Sequence, residues 1–173
     1  YADGAATLQE FVDGNTTSPY YISAMTDRAL AYYNLGRKSE AVACYEKVVE
    51  YDPQSASALD AIRGLREIYV AEGKVNEYFD YAERSGVQSD MTSAARDSLT
   101  FAAAKNAYLS GDMSDARAKL DDYLKQFDKG YNRTEALFYL SDCHMYLKDN
   151  AKALETMHEL LAQGRNQYTE RVL

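Results

Sequence analysis

Apolar and polar positions alternate along this chain at helical spacing. Ile62, Leu65 and Tyr69 share one helix face, as do Leu137, Leu140, Ser141 and His144, and then Ala153, Met157 and Leu160. The pattern also repeats over a longer interval. Small residues, which let two helices approach closely, stand at Ala41, Ala116 and Ala153, with Tyr78 in the same series; the steps are 37, 38 and 37 residues. A second series, Ala29, Arg66, Ala104 and Ser141, has the same steps. Each interval therefore predicts one pair of antiparallel helices. Arg66 and Tyr78 break the small-residue rule in the second pair, where Ala82 takes over that role and wider packing is expected. The second pair is expected to begin near Leu59, six residues after Pro53, and Asp112 and either Asp149 or Asn150 are expected to cap second helices.

The repeat extends past the four complete pairs. Ala6, Leu8 and Phe11 precede Ala43, Tyr45 and Val48 by 37 residues, so the chain opens on the second helix of an earlier pair. After Gly164, the run from Gln167 to Leu173 reads as the first helix of another. The expected organisation is one repeat domain over 1–173, a fragment of a longer protein. Within it, 1–15 ends a preceding repeat, 20–54, 57–86, 93–128 and 133–164 are four repeats, and 166–173 starts a further helix. Leu8 and Phe11 would lack a partner hairpin, so the chain is expected either to fray over residues 1–12 or to self-associate through the cut repeat ends.

The segment from Ala29 to Gly36, followed by Glu40 to Pro53, resembles a tetratricopeptide repeat: small Ala29 and Ala41, aromatic Tyr32 and Tyr45, and a closing Pro53. Two large apolar positions of that pattern fall on Met25 and Arg28. The resemblance implies an all-α fold, a right-handed superhelix or α-solenoid of stacked antiparallel helix pairs, whose first helices line a concave wall. Carried across, the partner-binding positions are Tyr33, Asn34, Arg63, Glu67, Phe101, Lys105, Tyr108, Phe138, Asp142 and Met145. Tyr33, Phe101, Tyr108 and Phe138 are expected to be at least partly exposed there, and Lys105 to pair with an acidic group on a partner. The carboxylate clamp of the chaperone-tail binders in this family falls on Thr26, Leu30, Gly64, Ser98 and Ala102, so that clamp is missing. The implied function is a non-catalytic scaffold for a protein or peptide partner. The run from Glu135 to Asp142 is similar to bacterial envelope repeat proteins, which points to complex assembly in the periplasm or at the outer membrane. The alternative is a docking arm of an enzyme or signalling protein whose active domain lies outside this segment.

Composition narrows the partner. Two Pro and 9 Gly in 173 residues leave most of the chain free to run as helix. Mean hydropathy is -0.51, and no apolar run approaches the 18 or so residues of a membrane span, so no membrane insertion by this segment is expected. A net charge of -8 would repel a phosphate backbone, which argues against nucleic acid. Two Cys and two His form no metal pattern, and no cofactor is expected. Cys143 and His144 are adjacent, but neighbouring side chains on a helix diverge by about 100°, so neither can take the other's proton. Cys44 and Cys143 belong to distant repeats and are expected to stay unbridged. Asn15-Thr16-Thr17 and Asn132-Arg133-Thr134 match the glycosylation pattern and are read as ordinary connector or capping residues.

Overall fold

The computed structural model describes residues 1–87 and 92–172, and among them there are helices and connectors but no strand. The contacts divide the chain into two compact units, one formed by residues 1–69 and 76–91, the other by 70–75 and 92–173. The first unit carries α1 (Ala2–Gly14), α2 (Tyr21–Asn34), α3 (Lys38–Tyr51), most of α4 (Ala56–Ala71) and α5 (Val75–Ser85). The second carries α6 (Ser93–Leu109), α7 (Met113–Gln126), α8 (Arg133–Tyr146), α9 (Asn150–Ala162) and the single turn α10 (Thr169–Val172). Leu173, the last residue assigned to that final helix, lies outside the described residues.

In the first unit α2 packs against both α1 and α3, as the small residues Ala29 and Ala41, both fully buried, require. Arg28 occupies an apolar position of the repeat and is 6% exposed. Its guanidinium reaches three acceptors: Gln9 Oε1 at 2.7 Å, Cys44 Sγ at 3.3 Å and Met25 Sδ at 3.1 Å. Tyr32 also donates to Gln9, at 3.1 Å, so one glutamine on α1 anchors two side chains of α2. α4 starts at Ala56 rather than near Leu59, because the Ser55 hydroxyl accepts from the Ala58 amide at 3.1 Å and caps the helix there. Gly64 lets the buried Tyr45 ring lie against α4, where a Cβ would come within 2.5 Å of Tyr45 Cζ.

In the second unit α7 packs between α6 and α8, and α8 against α9. Its core joins Phe101, Ala104, Leu120, Tyr123, Leu140 and Cys143; each fully buried large apolar side chain there contributes about 2–3 kcal/mol. Asp112 and Asp149 cap α7 and α9 as expected, accepting from the amides of Asp115 and Lys152. Beneath this core lies a polar latch. The buried Asp97 accepts from the Tyr123 hydroxyl at 2.6 Å and the Tyr131 amide at 2.8 Å, and the Tyr123 oxygen in turn accepts from the Asn132 amide at 3.2 Å. Asn132 therefore belongs to the latch, and its side chain too reaches Asp97, at 3.4 Å.

The 37–38 residue interval reappears in the backbone. Gly36, Gly73, Gly111 and Lys148 end successive first helices, and all four have positive φ, between 63° and 86°. After α8, Lys148 N donates to Met145 O and Asp149 N to His144 O, a Schellman closure, and Gly36 and Arg37 make the same pair of bonds after α2. Only the fourth position carries a side chain, which is strained in the left-handed region. Lys148→Gly should therefore stabilise the protein by about 0.5–1 kcal/mol, measured by urea unfolding; no gain would mean that the Lys148 side chain makes compensating contacts.

Candidate functional site

The first-helix side chains expected to meet a partner differ between the two units. In the first, Tyr33 is half-buried on α2 and Asn34 is exposed, its amide donating back to Leu30 O at 2.9 Å. Arg63 and Glu67 stand exposed on α4, where Arg63 pairs with Asp60 at 2.8 Å. That pair is well solvated, so it contributes little to stability. These four positions form a dispersed polar surface.

The second unit builds a connected one. Phe101, Lys105 and Tyr108 recur along α6 at four and three residues, and Glu135, Tyr139 and Asp142 along α8 in the same steps, so two faces meet side by side. Lys105 Nζ lies 2.8 Å from Glu135 Oε1, which also accepts from the Tyr139 hydroxyl at 2.9 Å. The Tyr108 hydroxyl donates to Asp142. The rings line up: Tyr108 and Tyr139 centroids are 4.5 Å apart, Phe101 stacks on Tyr139 at 6.4 Å, and Tyr168 stacks on Phe138 at 4.6 Å with the Arg171 guanidinium over the other ring of that pair. Met145 is 46% exposed at the end of this face.

Two expectations are corrected here. Phe101 and Phe138 are not partly exposed but buried, at 5% and 8%, because Tyr139 with Tyr123 covers the first and Tyr168 with Arg171 the second. Lys105 does not hold its charge free for a partner; Glu135, thirty residues on, already answers it. Tyr139 and Tyr168 are members of this surface that sequence reasoning missed. Tyr139 was findable, four residues after Glu135 and three before Asp142. Tyr168 follows the break at Gly164, where the repeat spacing no longer fixes its place.

The electrostatics describe a wall that is already paired. The hydrogen bond to Glu135 raises the Lys105 pKa, and hydrogen bonds from Lys105 and Tyr139 outweigh burial to hold the Glu135 carboxyl below its ordinary value. Burial, followed by the bond to Asp142, pushes Tyr108 up to about 12. Burial also pushes the Cys143 thiol up to about 11, and its sulfur rests 3.9 Å from Met113 Sδ. A thiol with so small a thiolate fraction at neutral pH is a poor nucleophile. Cys44 is likewise buried with a free thiol. Among the described residues no group of three His, Cys, Asp or Glu side chains could hold a metal ion, and no helix is long and apolar enough to cross a membrane.

His144 is 3% exposed, and burial pulls its pKa below 6.5, with Asp121 and Asp149 opposing and Lys152 and Arg117 reinforcing the shift. The folded protein thus resists the proton that the unfolded chain accepts. Full stability is present above the unfolded value and is lost as pH falls from about 6.5 through the lower folded value. Thermal melts between pH 7.5 and 5 should show a steeper decline for the native protein than for His144→Gln; equal slopes would show that His144 contributes nothing.

The architecture is that of a helical-hairpin repeat protein. Family models for the tetratricopeptide repeat match residues 23–55 and 101–168, together more than half of the chain, and the chain belongs to that family. Among solved structures, it is similar to one from Podosopora anserina described as kinesin light chain nearly identical TPR-like repeats, with 19% identity, coverage of 91% of this chain and 84% of that one, and a TM-score of 0.42. A tetratricopeptide repeat protein from Parabacteroides merdae shares 13% identity over 94% of this chain and 58% of that one, with a TM-score of 0.39. No curated protein matches the chain. Tetratricopeptide repeats serve generally as scaffolds for protein–protein association, and the fold is typically non-catalytic.

Proposed function

We propose that this chain is a non-catalytic scaffold that holds a protein or peptide partner on the first helices, with the α6–α8 face of the second unit as its main contact surface. The observation that carries this reading is the Tyr108–Tyr139 pair: two half-buried rings 4.5 Å apart, each with its hydroxyl committed to a carboxylate of the same wall. Rings fixed in this way offer large contact area with little entropy left to lose on binding. Because Lys105, Glu135 and Asp142 answer charges or donors within the wall, the partner segment is apolar or aromatic rather than highly charged at this point. We read the repeats as 20–54, 57–86, 93–128 and 133–164; the packing of α2 on α3, α6 on α7 and α8 on α9 supports the first, third and fourth of them. The run from Glu135 to Asp142 supports a place in the assembly of bacterial envelope complexes, for which a signal peptide or lipid-anchor cysteine in the flanking sequence is the check.

Affinity capture with mass spectrometry would identify the partner, and Tyr108→Ala would then test the surface. Loss of a central aromatic anchor should weaken binding by about 2 kcal/mol, roughly thirtyfold, with a small change in melting temperature because the ring is only half-buried. Undiminished binding by Tyr108→Ala would remove this face as the contact surface.

A further inference from the structure

Lys105, Glu135 and Asp142 are the charges on the α6–α8 face, and the first two cancel. Lys105 Nζ and Glu135 Oε1 lie 2.8 Å apart, which leaves the carboxylate of Asp142. It accepts from the Tyr108 hydroxyl, a neutral donor, and has no ion-pair partner among the described residues. The basic residues on flanking elements are committed elsewhere. Arg171 lies over the Phe138 ring, Arg165 pairs with Glu170, and Arg133 pairs with Glu159. The charge of Arg117 is felt at His144, about 200° around α8 from Asp142, and Lys148 stands past the helix end.

The surroundings of this half-buried carboxylate are apolar. On α8, Tyr139, Met145 and Tyr146 are three or four residues from Asp142 and so share its side of the helix, while Tyr108 closes in from α6. Tyr146 is 70% exposed, and Leu109, its counterpart 37 residues earlier on α6, is 67% exposed. The Lys105–Glu135 and Tyr108–Asp142 contacts climb both helices in the same direction, so α6 and α8 run parallel and end at one edge. The partial negative charge of two helix C-termini adds there to that of the carboxylate. The first unit has no equivalent. At the positions of Asp142 and Tyr146 it carries Leu30 and Asn34 on α2, then Glu67 and Ala71 on α4.

We infer that Asp142 receives a lysine of the partner, flanked in that partner by apolar residues that cover Leu109, Met145 and Tyr146. The inference rests on the reading of this face as a contact surface and supplies one charge within an otherwise apolar segment. A wholly apolar segment laid over these side chains would bury the Asp142 charge unpaired, which is strongly unfavourable. A partner cation removes that cost. The ammonium is compact enough to meet the lone pairs that the Tyr108 hydroxyl leaves free, and its apolar stem can lie along the exposed side chains. The electron-rich faces of the surrounding tyrosines favour the same charge. One carboxylate oxygen is already held by Tyr108, so the parallel two-bond grip of an arginine is obstructed.

The test selects peptides from a random-peptide phage library on the whole chain, and in parallel on Asp142→Asn, which keeps an acceptor for the Tyr108 hydroxyl. Peptides selected on the native chain should share one lysine between leucine or aromatic residues, and those selected on Asp142→Asn should lack that lysine. A selected peptide is then titrated by fluorescence anisotropy and located by amide shift mapping. Asp142→Asn should weaken it about fivefold, and norleucine in place of its lysine should weaken it equally on the native chain. The two changes together should cost no more than either alone. Asp128→Asn, which removes the same charge from the exposed α7–α8 connector, should change affinity less than about twofold. The norleucine peptide tests the native chain directly, whatever the fate of the variant.

Peptides that map to the α6–α8 face with no preference for lysine, or with arginine preferred, overturn the inference and leave the contact surface standing. Independent losses from Asp142→Asn and norleucine overturn it in the same way. Shifts away from this face, or no selected peptide at all, overturn the contact surface and the lysine site together.

Discussion

Asp97→Ala should lower the free energy of unfolding by about 3–4 kcal/mol, one of the largest losses available to a single polar substitution here. The carboxylate is 4% exposed and receives the Tyr123 hydroxyl, the Tyr131 amide and the Asn132 side chain, so it ties the start of α6 to α7 and to the α7–α8 connector. Removing it strands the buried Tyr123 hydroxyl and the partly buried Tyr131 amide at once, and a stranded buried donor costs about 1–3 kcal/mol. Gly130 belongs to the same latch. A Cβ there would stand 2.5 Å from the Tyr123 hydroxyl and 2.8 Å from Phe127 Cβ, so Gly130→Ala should destabilise in the same direction by pushing the connector away. Tyr123→Phe keeps the ring in its fully buried place and removes only the hydroxyl, so its loss should be smaller than that of Asp97→Ala. Urea denaturation of the three variants gives the order; a loss under about 1 kcal/mol for Asp97→Ala would mean that water replaces the carboxylate without strain.

The parts of the fold that were legible in the sequence are those set by neighbours within a helical turn or by the repeat interval. Asp112 and Asp149 could be read as caps because a cap bonds an amide two or three residues away. Ser55 carries the same local signal and caps α4 at Ala56, three residues before the Leu59 that the apolar pattern marks. Tyr45, one of the aromatics of the repeat pattern, is buried. What the pattern could not supply is any pairing made across helices by residues that do not recur. Asp97 has no acidic counterpart one repeat away in either direction, at Leu59 or Thr134, so nothing in the chain marks it as the centre of a buried network. Arg28 looked like a flaw in the repeat, yet Gln9, nineteen residues earlier, satisfies it. Helical spacing assigns Phe101 and Phe138 to the first-helix face, but whether a face residue is open depends on what another helix lays over it.

Phe101→Ala should cost about 3–5 kcal/mol of stability, because its ring is enclosed by Tyr123 at 5.5 Å and Tyr139 at 6.4 Å and joins the core of α6, α7 and α8. The vacated space cannot be refilled cheaply: the surrounding rings are held by their own hydrogen bonds, Tyr123 to Asp97 and Tyr139 to Glu135. Met145→Ala, at the open end of the same face, should cost far less, since its side chain is 46% exposed and leaves no cavity. Measuring both by denaturant unfolding separates packing from surface on one wall. Any effect of Phe101→Ala on partner binding would then be indirect, through displacement of Tyr139, and should shrink when Phe101→Leu restores most of the volume. If Phe101→Ala and Met145→Ala destabilise equally, Phe101 is not enclosed as the ring distances indicate, and it returns to the set of residues open to a partner.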